Sequence, residues 1–263
     1  MTVRVAINGF GRIGRTLFHV ILDRKVPLEI VAFNDLSTPT DLAHLLKYDS
    51  VHGVWPHDVK ATESSIIVDG KEYQALKVKD PAQSPWHELK VDIVLESSGL
   101  FVDRDSCLKH INAGARKVLL SAPGKGMDAT FVIGVNESTY DPRKHHIVSN
   151  ASCTTNCLAP IVALLHDRFV VEHGLMTTIH SYTMDQRLLD ALHKDRRRAR
   201  AAALSMIPTT TGAARAVAEV IPELKGKLDG ISIRVPTPNV SLVDLAVRVG
   251  RDVTIDEVNK VFE

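Results

Sequence analysis

Three cysteines in 263 residues, Cys107, Cys153 and Cys157, are too few and too oddly counted for a disulfide framework. None stands in a C-x2-C spacing, so the chain reads as a protein of a reducing compartment without a zinc site. Charge of one sign is also missing. The 32 basic and 31 acidic residues leave a formal charge of +1, which gives no electrostatic case for a nucleic-acid surface. Apolar runs such as "VDIVLESSGLFV" break off too soon to cross a bilayer, and "MTVRVAINGF" lacks the apolar core of a leader; both point to the cytoplasm. Internal repeats, low-complexity stretches and Gly/Ser linkers are absent. Of the 12 histidines, only one stands in a suggestive setting.

What remains is 44% hydrophobic residues, enough for two ordinary domains each with a core. Over residues 1–151, short apolar runs alternate with helical patterns: "VRVAING" then "RTLFHVILDR", "LEIVAFND" then "TDLAHLLKY", "DIVLESSG" then "RDSCLKHINAG", followed by "KVLLSAPG" and "TFVIGVN". Continuous apolar strands separated by helices require a parallel sheet covered on both faces. The expected fold class is therefore α/β, with a doubly wound dinucleotide-binding domain first. Residues 152–263 change pattern to a long helix, "CTTNCLAPIVALLHDRF", and longer strands in hairpin-like succession, "GISIRVPTP" then "VSLVDLAVRV". These predict an α+β domain with a mixed or antiparallel sheet. Near the end, Thr254 three residues before Glu257 is a capping-box pattern.

Two stretches carry chemistry. "AINGFGRIGR" sets Gly9, Gly11 and Gly14 in a G-x-G-x-x-G spacing between a strand and a helix, where glycines permit a tight turn, close approach of a pyrophosphate and close helix packing. Asp35 ends the second strand, where an acidic residue accepts from an adenosine ribose and repels a 2′-phosphate, so NAD is favoured over NADP. Ser97, Gly99 and Ser121 end later strands and are expected to line the cofactor crevice. In "VSNASCTTNCLAP", Cys153 opens a helix whose macrodipole favours thiolate. His180, at the end of "MTTIHS", is the candidate base. From the residues alone, Cys153 reads equally as a nucleophile and as a buried packing residue. Cys157, one helical turn on, reads as a small packing residue.

Together "INGFGRIGR", "LKYDSVHG", "SNASCTTNCLAP", "HSYT", "RRARAAALS", "IPTTTGAA" and "RVPTPNVSLVDL", running in order from Val5 to Leu245, resemble the glyceraldehyde-3-phosphate dehydrogenase family. The resemblance implies a phosphorylating, NAD-dependent oxidation in glycolysis, with Cys153 as nucleophile and His180 as base. It assigns Arg12 and Ile13 to the cofactor beside Asp35. Thr183, Arg198 and Arg234 fall to the substrate phosphate, and Ser152, Thr154, Thr211 and Gly212 to inorganic phosphate. It also implies a homotetramer, in which the basic run from Lys194 to Arg200 belongs to an interface loop and not to a nucleic-acid patch. Met184 and the pair Ala191-Leu192 depart from the usual loop residues of NAD-using members. Members of the family continue past Glu263, so an incomplete second sheet is expected, with a catalytically dead nucleotide- or protein-binding fragment as one alternative function. Erythrose-4-phosphate dehydrogenase is the other.

Overall fold

The computed structural model describes residues 2–263, which fall into two compact units. The first runs to Thr130 and takes in Tyr140–Asn150; the second comprises Phe131–Thr139 and Ala151–Glu263.

In the first unit, chain order gives β1 (Val3–Asn8), α1 (Arg12–Asp23), β2 (Leu28–Asn34), α2 (Pro39–Lys47), and a two-residue hairpin of β3 (Tyr48–Asp49) and β4 (Gly53–Val54). There follow β5 (Val59–Ala61), β6 (Ser65–Val68), β7 (Lys71–Leu76), β8 (Ile93–Glu96), α3 (Arg104–Asn112), β9 (Lys117–Leu120), β10 (Ala129–Thr130) and β11 (Ile147–Ser149). Apart from β3 and β4, which pair only with each other, these strands form one sheet in the order β10-β11-β9-β8-β1-β2-β7-β6-β5, parallel except where β6 pairs β7 and β5. Strand β1 has β2 on one side and β8 on the other, so the order of the chain reverses at its carboxyl end. Ligands of doubly wound sheets bind at such a switch point.

Local sequence explains the helices that matter there. Gly14, Phe18 and Ile21 recur at helical spacing and are the buried face of α1. Asp103 caps α3 through Ser106, and Thr38 caps α2 by accepting from the Asp41 amide. The antiparallel β5–β7 extension had no counterpart in the sequence reading. "TFVIGVN" is not the strand expected: β10 stops at Thr130, because Val132 is buried in the second unit's core and Asn136 Oδ1 accepts from its amide at 2.9 Å.

The second unit contains α4 (Cys153–Phe169), β12 (Val171–Ser181), β13 (Ile207–Thr210), α5 (Ala213–Val220), β14 (Leu228–Val235), β15 (Leu242–Val249) and α6 (Ile255–Val261). Its sheet order is β13-β14-β12-β15. The hairpin expected between β14 and β15 does not form. Strand β12 lies between them, parallel to β14 and antiparallel to β15, and its eleven residues offer both neighbours a long row of backbone donors and acceptors. One face of this mixed sheet packs on α4 and α5 through Met176, Leu228, Leu158, Val162 and Val217. The other leaves Leu175, Ile231 and Leu242 more than half exposed. Thr254 and Glu257 form the expected capping box on α6.

Candidate active site

The glycine loop follows β1 directly. Between its first two glycines, Phe10 is fully buried, stacked on Phe33 at 4.2 Å and edge-on to Phe18, and so pins the loop to the sheet. Gly9 has φ +89°, and a Cβ there would sit 2.4 Å from the Ser98 backbone. A Cβ on Gly14 would lie 2.1 Å from the Gly9 carbonyl oxygen. Around Gly11, by contrast, a Cβ would meet nothing within 4 Å. Two glycines are thus required by the protein itself, and the third faces open space.

Gly11 is also the N-cap of α1. No side chain caps that end and no acidic residue stands in its first turn. The leading amides of a twelve-residue helix are therefore left to an anion. Ile13 is half exposed beside them. Asp35 accepts from the Phe10 and Ser37 amides, each at 3.0 Å, which holds the loop and leaves carboxylate lone pairs for a ribose hydroxyl. Uncapped amides, an open glycine and a fixed carboxylate match the donor and acceptor needs of NAD. Arg12 pairs with Asp49 at 3.0 Å. Burial pushes the Asp49 carboxyl up, but the His52 and Val51 amides and then Arg12 outweigh it and hold it at about 2. Ser97 Oγ donates to the Gly9 carbonyl (2.7 Å) and Ser121 Oγ to the Glu96 carbonyl (3.0 Å), so both serines brace backbone at the crevice; Gly99 turns at φ +73°.

The second constellation lies wholly in the second unit. Ser152 caps α4 by accepting from the Thr155 amide at 3.0 Å, which leaves Cys153 as the first helical residue, exposed to solvent. Its Sγ lies 3.2 Å from His180 Nε2. The ring's other nitrogen, Nδ1, lies 2.7 Å from both the Ser181 carbonyl and Arg234 Nη1, and Arg234 Nη1 donates to that same carbonyl at 2.9 Å. Strand register makes this possible, since His180 on β12 pairs directly with Arg234 on β14. The His180 contact holds the Cys153 thiol below its ordinary value, against desolvation and with help from Thr154. Cys107 shows the opposite: burial, then the nearby Glu96 and Asp103, push its thiol up to about 12.

The candidate anion groups gather around the cysteine unequally. Burial and the proximity of Arg198 lower the pKa of Arg234, so the two guanidinium groups face one region. Arg234 Nε is buried with no hydrogen-bond partner, a donor left for an oxyanion. Arg198 is aimed by Thr209 Oγ1 (2.8 Å), the Thr210 carbonyl (3.2 Å) and an ion pair with Asp185. Thr155 Oγ1 donates to the Ala213 carbonyl (3.3 Å), which sets the start of α4 against that of α5, where Thr211 Oγ1 accepts from the Ala213 amide and Gly212 is an uncapped N-cap. Thr154 is buried, and Thr183 is exposed in the following loop, where its amide donates to Gln186 Oε1 at 3.2 Å. Cys157 is exposed on α4 and does not pack, contrary to its expected place. Phe10, Asp49 and Asp185 were missed by sequence reasoning because their roles are to hold other groups, for which no local pattern exists.

A doubly wound unit with a dinucleotide loop, and a unit that carries an activated thiol, together define an NAD-dependent oxidoreductase working through cysteine. The comparisons narrow this. Residues 3–104 match the family model for the NAD-binding domain of glyceraldehyde 3-phosphate dehydrogenase, and residues 152–263 match that for its C-terminal domain. Glyceraldehyde-3-phosphate dehydrogenase of Geobacillus stearothermophilus is 57% identical over 98% of this chain and 77% of its own length. That of Streptomyces coelicolor is 56% identical over 100% of this chain and 78% of its own. Glyceraldehyde-3-phosphate dehydrogenase 2 of Bacillus subtilis is 54% identical over 100% of this chain and 77% of its own. The chain belongs to the glyceraldehyde-3-phosphate dehydrogenase family.

Proposed function

We propose that this chain oxidises D-glyceraldehyde 3-phosphate to 1,3-bisphosphoglycerate in glycolysis, with residues 1–151 holding the cofactor and 152–263 the substrate. The observation that carries the reading is the 3.2 Å approach of Cys153 and His180 at a helix N-terminus. The thiolate of Cys153 attacks the aldehyde carbon, forming a C–S bond and a thiohemiacetal. His180 accepts the hydroxyl proton as the carbonyl re-forms, leaving a thioester on Cys153. NAD, when bound, supplies the acceptor for the hydride that leaves that carbon. Inorganic phosphate, gathered by Ser152, Thr154, Thr211 and Gly212, then attacks the thioester, and Cys153 departs as thiolate. Arg198, Arg234 and Thr183 hold the substrate's own phosphate, with guanidinium groups suited to its oxygens. Gly9, Gly11, Arg12, Ile13, Gly14, Asp35, Ser97, Gly99 and Ser121 make up the cofactor cradle.

Self-association as a homotetramer fits the apolar outer face of the second sheet and the exposed Met184, Leu188 and Leu192 of the basic loop. A cytoplasmic setting fits a chain in which no helix among the described residues is long and apolar enough to cross a membrane. The deciding experiment compares glyceraldehyde 3-phosphate with erythrose 4-phosphate, with and without inorganic phosphate. Turnover with NAD that depends on phosphate and prefers the three-carbon aldehyde is expected. Oxidation indifferent to phosphate would point to erythrose 4-phosphate instead.

A further inference from the structure

Behind the glycine loop lies a polar row that the proposed chemistry does not use. Strands β2, β1 and β8 each end in a buried polar residue, and their register sets Asn34 beside Asn8 and Asn8 beside Glu96. Asn34 Nδ2 donates to Asn8 Oδ1 at 2.8 Å, and Asn8 Nδ2 donates to Glu96 Oε2 at 2.6 Å. From the other side, Trp86 Nε1 lies 2.9 Å from His110 Nδ1, and His110 Nε2 lies 2.9 Å from Glu96 Oε2. Trp86, His110 and Glu96 are all fully buried.

These contacts have a fixed direction. An indole N–H can only donate, so His110 Nδ1 is an acceptor, the ring's proton sits on Nε2, and that N–H is given to Glu96. Two hydrogen-bond chains therefore converge on one carboxylate. Its remaining oxygen accepts from the Ser98 amide (2.8 Å) and the Ser98 hydroxyl. The same hydroxyl accepts from the Leu100 amide at 3.2 Å, so Glu96 organises the turn Ser97–Leu100. That turn is what Gly9 packs against, since a Cβ on Gly9 would meet the Ser98 backbone, and Ser97 Oγ holds the Gly9 carbonyl. A buried carboxylate without a cation partner is a costly way to fill a core, and such a group persists where it fixes a geometry.

We propose that Glu96 and His110 are positioning residues for NAD: they set the Ser97–Gly99 turn and, through it, the glycine loop, without touching the cofactor. This rests on the reading of that loop as the NAD site. In Glu96→Gln the new amide N–H₂ has to face either the Ser98 amide, a backbone donor that cannot reverse, or Asn8 and His110, which Asn34 and Trp86 lock as donors from behind.

The test measures NAD dissociation constants by titration calorimetry, well below the unfolding midpoint of each protein. Glu96→Gln is expected to bind NAD at least roughly tenfold more weakly than wild type, as for a glycine loop that holds its binding shape at most about a tenth of the time before NAD arrives. Iodoacetamide labelling of Cys153 without NAD is expected to keep its wild-type rate. A variant that melts earlier but binds NAD as wild type does would show a purely structural role and overturn the proposal. If Glu96→Gln does not fold, Trp86→Phe, which leaves the carboxylate but frees His110 Nδ1, is expected to weaken NAD binding several-fold, and unchanged binding overturns the proposal equally. Nitrogen-15 NMR of histidine-labelled wild type supplies an independent check. His110 is expected as the Nε2–H tautomer at neutral pH, and an Nδ1–H signal would contradict the directional chain. Wild-type protein that fails to bind NAD would instead overturn the cofactor reading, and this inference with it.

Discussion

The glycine loop of the first unit and the cysteine centre of the second are both built at helix N-termini, yet from opposite materials. In the loop the groups proposed to bind are backbone amides, and the side chains around them, Phe10, Asp35 and Ser97, hold the backbone in shape. In the cysteine centre the groups proposed to work are side chains, and backbone serves to orient them, as the Ser181 carbonyl does for His180 and Arg234. The difference follows from the chemistry. A diphosphate needs many fixed donors and no proton transfer, whereas covalent catalysis needs groups whose protonation can change. The price of the second design is dependence on tertiary register.

Removing the reactive atom separates the two regions most sharply. Cys153→Ala is expected to lower turnover by roughly 10⁴-fold or more. Calorimetric NAD affinity should stay at the wild-type value, and a mutant that still forms the thioester would remove Cys153 from its role. His180→Asn takes away the contact that lowers the Cys153 thiol. Hydride transfer is expected to slow roughly 10²–10⁴-fold. The midpoint of the iodoacetamide rate against pH should move up, and an unmoved midpoint would deny the pairing.

Within the loop, two alanine substitutions divide folding from binding. Gly9→Ala forces a left-handed φ and a clash with the Ser98 backbone, so thermal unfolding should show a loss of about 1–3 kcal/mol or more. Gly11→Ala meets nothing in the free protein; stability should hold while NAD binds roughly tenfold or more weakly, if phosphate amide contacts occupy that space. Equal NAD affinity in Gly11→Ala would mean that the open space is not used.

The smallest expected effect lies away from both centres. His57 sits between Asp69 and Asp23, and the Asp69 hydrogen bond, with Asp23 adding, raises its pKa above 6.5 in the folded protein. Because the folded value lies above the unfolded one, this stabilisation is complete below about pH 6.5 and fades as pH rises through the folded value. Melting temperature should therefore fall slightly from pH 6 to pH 8 in wild type, relative to His57→Gln. Parallel pH profiles for the two proteins would discount the contact.

Legibility in the sequence followed the same divide. The glycine loop was readable because its three glycines lie within six residues, and a strand and helix flank them in the chain. The helix that begins at Cys153 was readable from the apolar run that follows it. What could not be read was contact across the chain: the pairing of His180 with Arg234, the insertion of β12 between β14 and β15, the recruitment of Val132 to the second core, and the convergence of Asn8 and His110 on Glu96.

By itself, then, the sequence determined much that neighbours along the chain carry: the α/β class, the dinucleotide motif, the capping box of α6 and a cysteine at a helix start, though not the local hairpin of β6 and β7. Only the tertiary structure decided that His180 holds the Cys153 thiol below its ordinary value while burial pushes the Cys107 thiol up. Both are cysteines beside helical runs. Thiol acidity depends on which charges and how much water surround the sulfur, and those are set by strands and helices far away in the sequence.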